Sequence, residues 1–268
     1  MKLLIKKSVH FILITYISLC VFLFIFQRKL EYQPQGVLES PISYSLTEVS
    51  RETLLTHDDL KLAWWYHPAE DNEKIMVYFH GNAGNLGGRA NKFKLFIEEG
   101  DFALAALTYR GYPGSEGSPK EKDIIKDALA FIERLKILGY SEQDMIFYGE
   151  SLGSGVVLQI AAQFEPYAII LDAPFTSALA VARENYWYVP LNILMLDKFL
   201  SLNYVDQVKS PTLIIHGTAD SVTPFSQGQA LHDALNVPKK LIAVPDADHL
   251  DYSNEFLLEQ IEEFLESE

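Results

Sequence analysis

Residues 145–155 read MIFYGESLGSG, an apolar run that stops at Gly149, one serine set between Gly149 and Gly153, and the start of a helix-like stretch that continues to Phe164. If MIFY is a strand and residues 152–164 a helix, Ser151 sits on the sharp turn that joins them. A serine on such a turn adopts a strained backbone, so the residues two before and two after it must be nearly free of side chain. Gly149 and Gly153 meet that requirement. The first strand of the reading is therefore tied to a helix that starts at once, and the fold must be one in which strands feed helices.

The rest of the chain agrees. IMVYF (75–79), FALAALTY (102–109), AIIL (168–171), TLIIH (212–216) and LIAV (241–244) are short and continuously apolar, the pattern of strands covered on both faces. Residues 86–99, 120–138, 152–164, 226–236 and 253–266 carry helical spacing, as in the recurrence of Ile124, Ala128, Phe131, Ile132 and Leu135. Alternating strands and helices predict an α/β fold with a mostly parallel sheet and helices on both faces. Residues 175–210 interrupt the alternation with a helix-rich insert that is unusually apolar from Tyr186 to Leu196. Two readings stay open: helices packed on the sheet, or a short lid whose inner face meets an acyl chain.

The 268 residues are 49% hydrophobic, which suits one α/β domain and a smaller addition. The addition is at the N-terminus, where Val9 to Phe26 carry no charge and are flanked by Lys2, Lys6 and Lys7 on one side and Arg28 and Lys29 on the other. As a helix this run spans about 27 Å, close to the thickness of a bilayer's hydrocarbon. A cleaved signal peptide would need small residues at its end, and the run ends Phe24, Ile25, Phe26, Gln27, Arg28 instead. The expectation is a single-pass anchor over residues 1–31 and a catalytic domain over 32–268, with Pro34, Gly36, Ser40, Pro41 and Ser43 as linker. The small excess of basic residues at the N-terminal side puts the domain outside the cytoplasm.

Beyond residue 31 there are 17 Lys and Arg against 35 Asp and Glu. Such a domain repels nucleic acid, so no nucleic-acid partner is expected. Cys20 is the single cysteine, which excludes a disulfide within the chain and a cysteine-based metal site. No metal and no organic cofactor is expected.

A serine hydroxyl becomes a nucleophile only when an imidazole takes its proton and an acid holds that imidazole. On a strand–serine–helix turn the partners follow in the order Ser, acid, His. His216, His232 and His249 follow Ser151. His216 closes a strand and His232 sits in helical sequence, whereas His249 lies in the loop after the last strand, so His249 is the expected base. Asp220, after the strand TLIIH, is the expected acid, with Asp172 as rival; Asp246, Asp248 and Asp251 read as solvated loop charges. Two backbone donors must receive the oxyanion: the N–H of Leu152 and one from HGNAGNLGGR (80–89), with Asn82 preferred and Ala83 second. That glycine-rich loop lacks the Lys-Ser/Thr pair of a phosphate-binding loop. Ala83, Arg110, Tyr186 and Trp187 are candidate substrate contacts, Arg110 having a structural ion pair as its alternative. Ser115 lies on no strand-to-helix turn and is not read as a second nucleophile.

Five ordered segments, YFHGNAGNLGGR, LTYRGYPGSEGSP, YGESLGSG, HGTADSVTP and DADH, together resemble the membrane-anchored branch of the α/β-hydrolase superfamily that includes the lysophosphatidylserine lipase and the protein depalmitoylases. The resemblance runs from about residue 50 to the C-terminus. It implies a triad of Ser151, Asp220 and His249 in a serine hydrolase that cleaves a carboxylic ester or thioester through an acyl-enzyme. The anchor and the apolar insert lean toward a lipid-like substrate: a lysophospholipid, a monoacylglycerol or an acyl-protein. The depalmitoylases have a cysteine-rich N-terminus where this chain has only Cys20, so attachment by palmitoylation is not implied. A serine peptidase and a non-catalytic binding protein of the same fold are the alternatives.

Overall fold

The computed structural model describes residues 2–70 and 73–267. Eight strands form one sheet: β1 (Ser50–Leu55), β2 (Lys61–His67), β3 (Ile75–Phe79), β4 (Ala103–Leu107), β5 (Met145–Glu150), β6 (Ala168–Asp172), β7 (Thr212–Gly217) and β8 (Lys239–Val244). Their order across the sheet is β8-β7-β6-β5-β3-β4-β2-β1. From β4 to β8 all pairings are parallel, and β2 pairs antiparallel with both β1 and β4. The mostly parallel sheet expected from the sequence is present, and β1 and β2 extend it by a hairpin that the search for continuous apolar runs does not see. SRETLL is exposed at all but one position, so it has no apolar run to offer.

Every residue of β3, β4, β5, β6 and β7 is buried, because helices cover both faces. One face packs on α3 (Glu121–Ile137), α4 (Leu152–Ile160) and α7 (Phe225–Ala234) through Phe131, Val156 and Leu231. The other packs on α2 (Ala90–Glu98) and α8 (Asn254–Glu266) through Phe93, Phe96, Ile261 and Phe264. The alternation of Trp64 and Trp65 along β2 sends one indole into each layer.

The chain order turns about β3, which lies between β4 on one side and β5 on the other. Loops leaving the carboxyl ends of β3 and β5 therefore part in opposite directions and leave a crevice, the place where open α/β sheets bind ligands. Ser151 stands at that crevice.

The first helix, α1 (Lys2–Glu31), is long and apolar enough to cross a membrane. Tyr32 after it is buried, and Gln33–Pro34 pair in parallel with Ala83–Gly84. The stretch read from sequence as linker thus begins with a two-residue ladder to the loop after β3. The insert between β6 and β7 is less helical than expected: α5 (Ala178–Tyr186), the single turn α6 (Leu191–Leu194) and two short 3₁₀ turns.

Candidate active site

Ser151 has φ 48° and ψ −111°, a region that side chains avoid and that here is imposed by the passage from β5 straight into α4. A Cβ on Gly153 would overlap the carbonyl oxygen of Phe79, and one on Gly149 would stand 2.7 Å from the Gly153 carbonyl oxygen. Gly153 thus lets the turn press against β3, and Gly149 lets the end of β5 pack against the start of α4. The Ser151 N–H donates to Asp172 O at 2.8 Å, which fixes the turn to the end of β6.

His249 Nε2 lies 3.1 Å from Ser151 Oγ, and His249 Nδ1 lies 2.7 Å from Asp220 Oδ2. With Nδ1–H facing a carboxylate, Nε2 is left to accept the serine proton. Asp220 is held in turn: its Oδ1 accepts from the N–H groups of Val222 and Thr223 at 2.9 and 2.6 Å. Its burial works to raise the carboxyl pKa, but hydrogen bonds from His216, His249 and the Thr223 N–H outweigh it and hold the group well below the usual carboxylate range. Asp220 therefore stays an anion and keeps the imidazole in one tautomer.

His216 is a participant that the sequence reading passed over. Its Nε2 lies 2.8 Å from Thr223 O and 3.3 Å from Asp220 Oδ2. Both neighbours are acceptors, so Nε2 carries the hydrogen and shares it between them. The signal was available in the HGTAD spacing, since the strand's last histidine and an acid four residues on meet across the turn. Asp248 is likewise more than a solvated charge: it accepts from Ser221 N and Oγ at 2.7 and 2.8 Å and from the His249 N–H at 2.8 Å. It latches the loop that carries the acid to the loop that carries the base.

The loop after β3 is held from below. Glu150, next to the serine and buried, accepts from Gly81 N at 3.2 Å and from Arg89 Nη2 at 2.6 Å. Arg89 also donates to Ala83 O and Asn85 O at 2.8 and 3.0 Å, so one guanidinium gathers both ends of the loop. Burial would raise Glu150, but the charges of Lys92 and Arg89 prevail and keep it well below its ordinary value. His80 donates from Nδ1 to Gly81 O at 2.7 Å and accepts from Tyr109 N at Nε2 at 3.3 Å. Burial, aided by the nearby Arg89 charge, lowers His80 to about 3, so it serves as a neutral brace.

Leu152 opens α4, and its N–H belongs to the first turn, which has no carbonyl within the helix to receive it. Asn82 turns its carbonyl oxygen to Tyr112 Oη at 2.8 Å and its side-chain oxygen to Gln33 N at 3.1 Å. Both residues line one cavity of about 660 Å³, together with Ser151 and His249. Ala83 and Tyr186 also line it.

Two of the expected substrate contacts lie elsewhere. Arg110 is buried and paired: Nε with Asp127 Oδ2 at 2.6 Å and Nη1 with Asp58 Oδ2 at 3.0 Å. Its guanidinium ties α3 to the β1–β2 turn, and the structural ion pair is the reading that holds. His57, Asp58 and Asp127 approach one another closely enough for a metal ion, but the Arg110 guanidinium already supplies the positive charge there. Trp187 is 80% exposed and lines a shallow recess with Arg183 and Ile193 on the outside of the insert. Asp172 does not reach His249; it is buried under Tyr148, Tyr252 and Lys92. Ser115 Oγ donates to Thr108 O and accepts from Ala63 N, both at 3.0 Å.

The last turns of α1 form part of the same cavity. Leu23, Phe24, Gln27, Leu30 and Glu31 face it from one side, and the insert, through Val181, Tyr186, Leu194 and Met195, faces it from another. Gln27 Nε2 donates to Leu194 O at 3.1 Å, Leu196 N donates to Gln27 Oε1 at 2.7 Å, and Arg28 Nε donates to Asp197 Oδ2 at 2.8 Å.

The strained serine on its strand-to-helix turn, with an acid and a histidine on the loops after β7 and β8, stands on a fold and sequence that known proteins resemble. The model of the prolyl oligopeptidase family matches residues 115–266. Human alpha/beta hydrolase domain-containing protein 17B is 30% identical over 78% of this chain and 72% of its own. Zebrafish (Danio rerio) lysophosphatidylserine lipase ABHD12 is 30% identical over 74% of this chain and 58% of its own. The structure of the Pyrococcus furiosus esterase Pf2001 superposes with a TM-score of 0.71 at 21% identity, covering 88% of this chain and 98% of that one. The chain belongs to the α/β-hydrolase family.

Proposed function

We propose that this protein is a serine hydrolase, held to a membrane by α1, that cleaves a carboxylic ester or thioester of lipid-like character through an acyl-enzyme. The observation that carries the reading is the run of contacts from Ser151 Oγ to His249 Nε2 at 3.1 Å and from His249 Nδ1 to Asp220 Oδ2 at 2.7 Å. Ser151 Oγ attacks the acyl carbonyl while His249 Nε2 takes its proton, and Asp220 stabilises the imidazolium. The N–H groups of Leu152 and Asn82 receive the negative charge on the carbonyl oxygen. His249 then protonates the leaving oxygen or sulfur, and water, deprotonated by the same nitrogen, attacks the acyl-serine to release the acid and restore the enzyme.

The lipid-like substrate rests on the lining of the cavity, which is mostly apolar on the sides formed by α1 and the insert, with Gln27, Glu31 and Asn185 as its polar members, and on the names of the relatives, one a lipase. The domain division follows the same reading, with residues 1–31 as single-pass anchor and 32–268 as the hydrolase domain. Lys2, Lys6 and Lys7 favour a catalytic domain outside the cytoplasm. A peptide substrate is the second reading, favoured by the match to the prolyl oligopeptidase family.

The test uses the full chain in detergent or bilayer. A fluorophosphonate probe labels the wild type and not Ser151→Ala. kcat/KM measured on esters of rising acyl length, with a peptide amide beside them, then rises toward long chains. Labelling that survives in Ser151→Ala removes the proposed nucleophile; a preference for the amide or for short esters removes the lipid substrate.

A further inference from the structure

We infer that the insert enters the membrane alongside α1, and that the cavity over Ser151 opens into that same leaflet, so that a long-chain ester passes from the bilayer to the serine without crossing water. This deepens the proposed function and rests on Ser151 being its nucleophile.

The argument begins with where the insert touches α1. At one end Asp197 pairs with Arg28; at the other the carbonyl oxygen of Tyr188 accepts from Tyr16 Oη at 2.8 Å. Tyr16 precedes Arg28 by twelve residues, about 18 Å of helix at 1.5 Å per residue. It lies well inside the uncharged run from Val9 to Phe26, beside side chains such as Phe11 and Ile14 that are exposed in the isolated chain. A helix crossing about 30 Å of hydrocarbon cannot keep both contacts with a neighbour that stays wholly in water.

The insert is built for that surrounding. Hydrocarbon offers nothing to an unpaired backbone group, so irregular chain at that depth must be satisfied by protein. Where α5 and α6 end, α1 supplies the partners: Tyr16 for Tyr188 O, and Gln27 for both Leu194 O and Leu196 N. Lys198 Nζ covers Asn192 O at 2.9 Å. Trp187 and Ile193 stand outward on the tip at 80% and 81% exposure, with Tyr188 and Leu196 exposed beside them and Asn192 as the polar side chain among them.

The cavity continues the same surface. Leu23 and Phe24 belong to the apolar run of α1 and yet line the cavity that holds Ser151. A substrate chain lying against them is already at the depth of lipid tails. Its volume, about 660 Å³, is in the range of sites that take a small-molecule ligand.

Trp187 is a natural probe, because Trp64 and Trp65 are buried in the sheet at 1% and 0% exposure and the chain has three tryptophans. Full-length protein carrying Ser151→Ala is placed in vesicles of phosphatidylcholine with or without bromine on the acyl chains. Brominated chains extinguish the part of the emission that Trp187→Phe lacks and leave the rest. Equal emission of Trp187 in both vesicles overturns the inference. In active protein, Phe24→Ala and Leu23→Ala lower kcat/KM for a bilayer-dissolved long-chain ester more than for a water-soluble short one; an equal loss on both overturns the cavity's opening toward lipid. Quenching is read without turnover. Loss of quenching with a long-chain preference retained sinks this inference alone, and quenching with a short-chain preference sinks the proposed substrate alone.

Discussion

Below Ser151 the molecule is a lattice of buried charges and hydrogen bonds, in which Glu150, Arg89, Lys92, Asp172 and Asp220 each meet partners of opposite sign or N–H donors. Above it, α1 and the insert meet through apolar side chains and are joined by polar contacts at Tyr16, Gln27 and Arg28. The lower region has one arrangement that satisfies every charge, and any displacement strands one of them in low dielectric. The upper region is pinned at fewer points, by the Arg28–Asp197 pair and the hydrogen bonds of Tyr16 and Gln27, and the rest of its contact is apolar. The contrast separates the residues proposed to set the reaction from those proposed to set what reaches it.

That separation can be broken at several points. The largest effect belongs to Ser151→Ala, which removes the proposed nucleophile while keeping the volume of the turn: kcat/KM falls by roughly 10⁴-fold or more, with an unchanged circular dichroism spectrum. Turnover within a few-fold of wild type ends the proposed mechanism. Next comes Gly153→Ala, whose added methyl meets the Phe79 carbonyl. Backbone on backbone cannot give way as a side chain does, so the cost reaches about 4 kcal/mol, read from denaturant unfolding; a stable, active variant contradicts the tight turn.

A third effect depends on pH. His80 gains its proton at about 3 in the fold, whereas the unfolded imidazole gains it near 6.5. Between those values the unfolded chain binds the extra proton, so stability is full above about 6.5 and is lost as pH falls, by at most about 1.4 kcal/mol per unit. His80→Gln lessens the loss of stability between about pH 6.5 and 5; equal slopes in the two proteins refute the buried neutral imidazole. The smallest effect is in the upper region. Tyr16→Phe deletes one hydrogen bond to the insert and shifts stability by about 1 kcal/mol, and a change in turnover of a short soluble ester would blur the two regions.

The lower region was largely legible in sequence because its chemistry is tied to local order. Gly149, Ser151 and Gly153 declare the turn, and the order Ser, Asp, His leaves few candidates once strands are placed. Strands covered on both faces announce themselves by unbroken apolar letters, whereas β1, exposed at all but one position, does not. The partners of Glu150 were hidden: it sits beside the nucleophile in the chain, but Arg89 and Lys92 come from a segment about 60 residues earlier, and nothing local pairs them. Arg110 and Trp187 misled as substrate contacts for a similar reason. A cation in a loop and an indole in a greasy insert look available until packing shows one spent on Asp127 and the other facing outward. The wall supplied by α1 was the least readable, since the same letters that mark a membrane span say nothing of what its end will touch.

The two-residue ladder between Gln33–Pro34 and Ala83–Gly84 makes the tether more than a tether. A protease that freed the domain by cutting between Pro34 and the first strand would leave the far side of that ladder attached to the membrane piece, and the loop proposed to receive the oxyanion would lose its neighbour in the same stroke. Release of the domain and loss of that support for the loop would be one event.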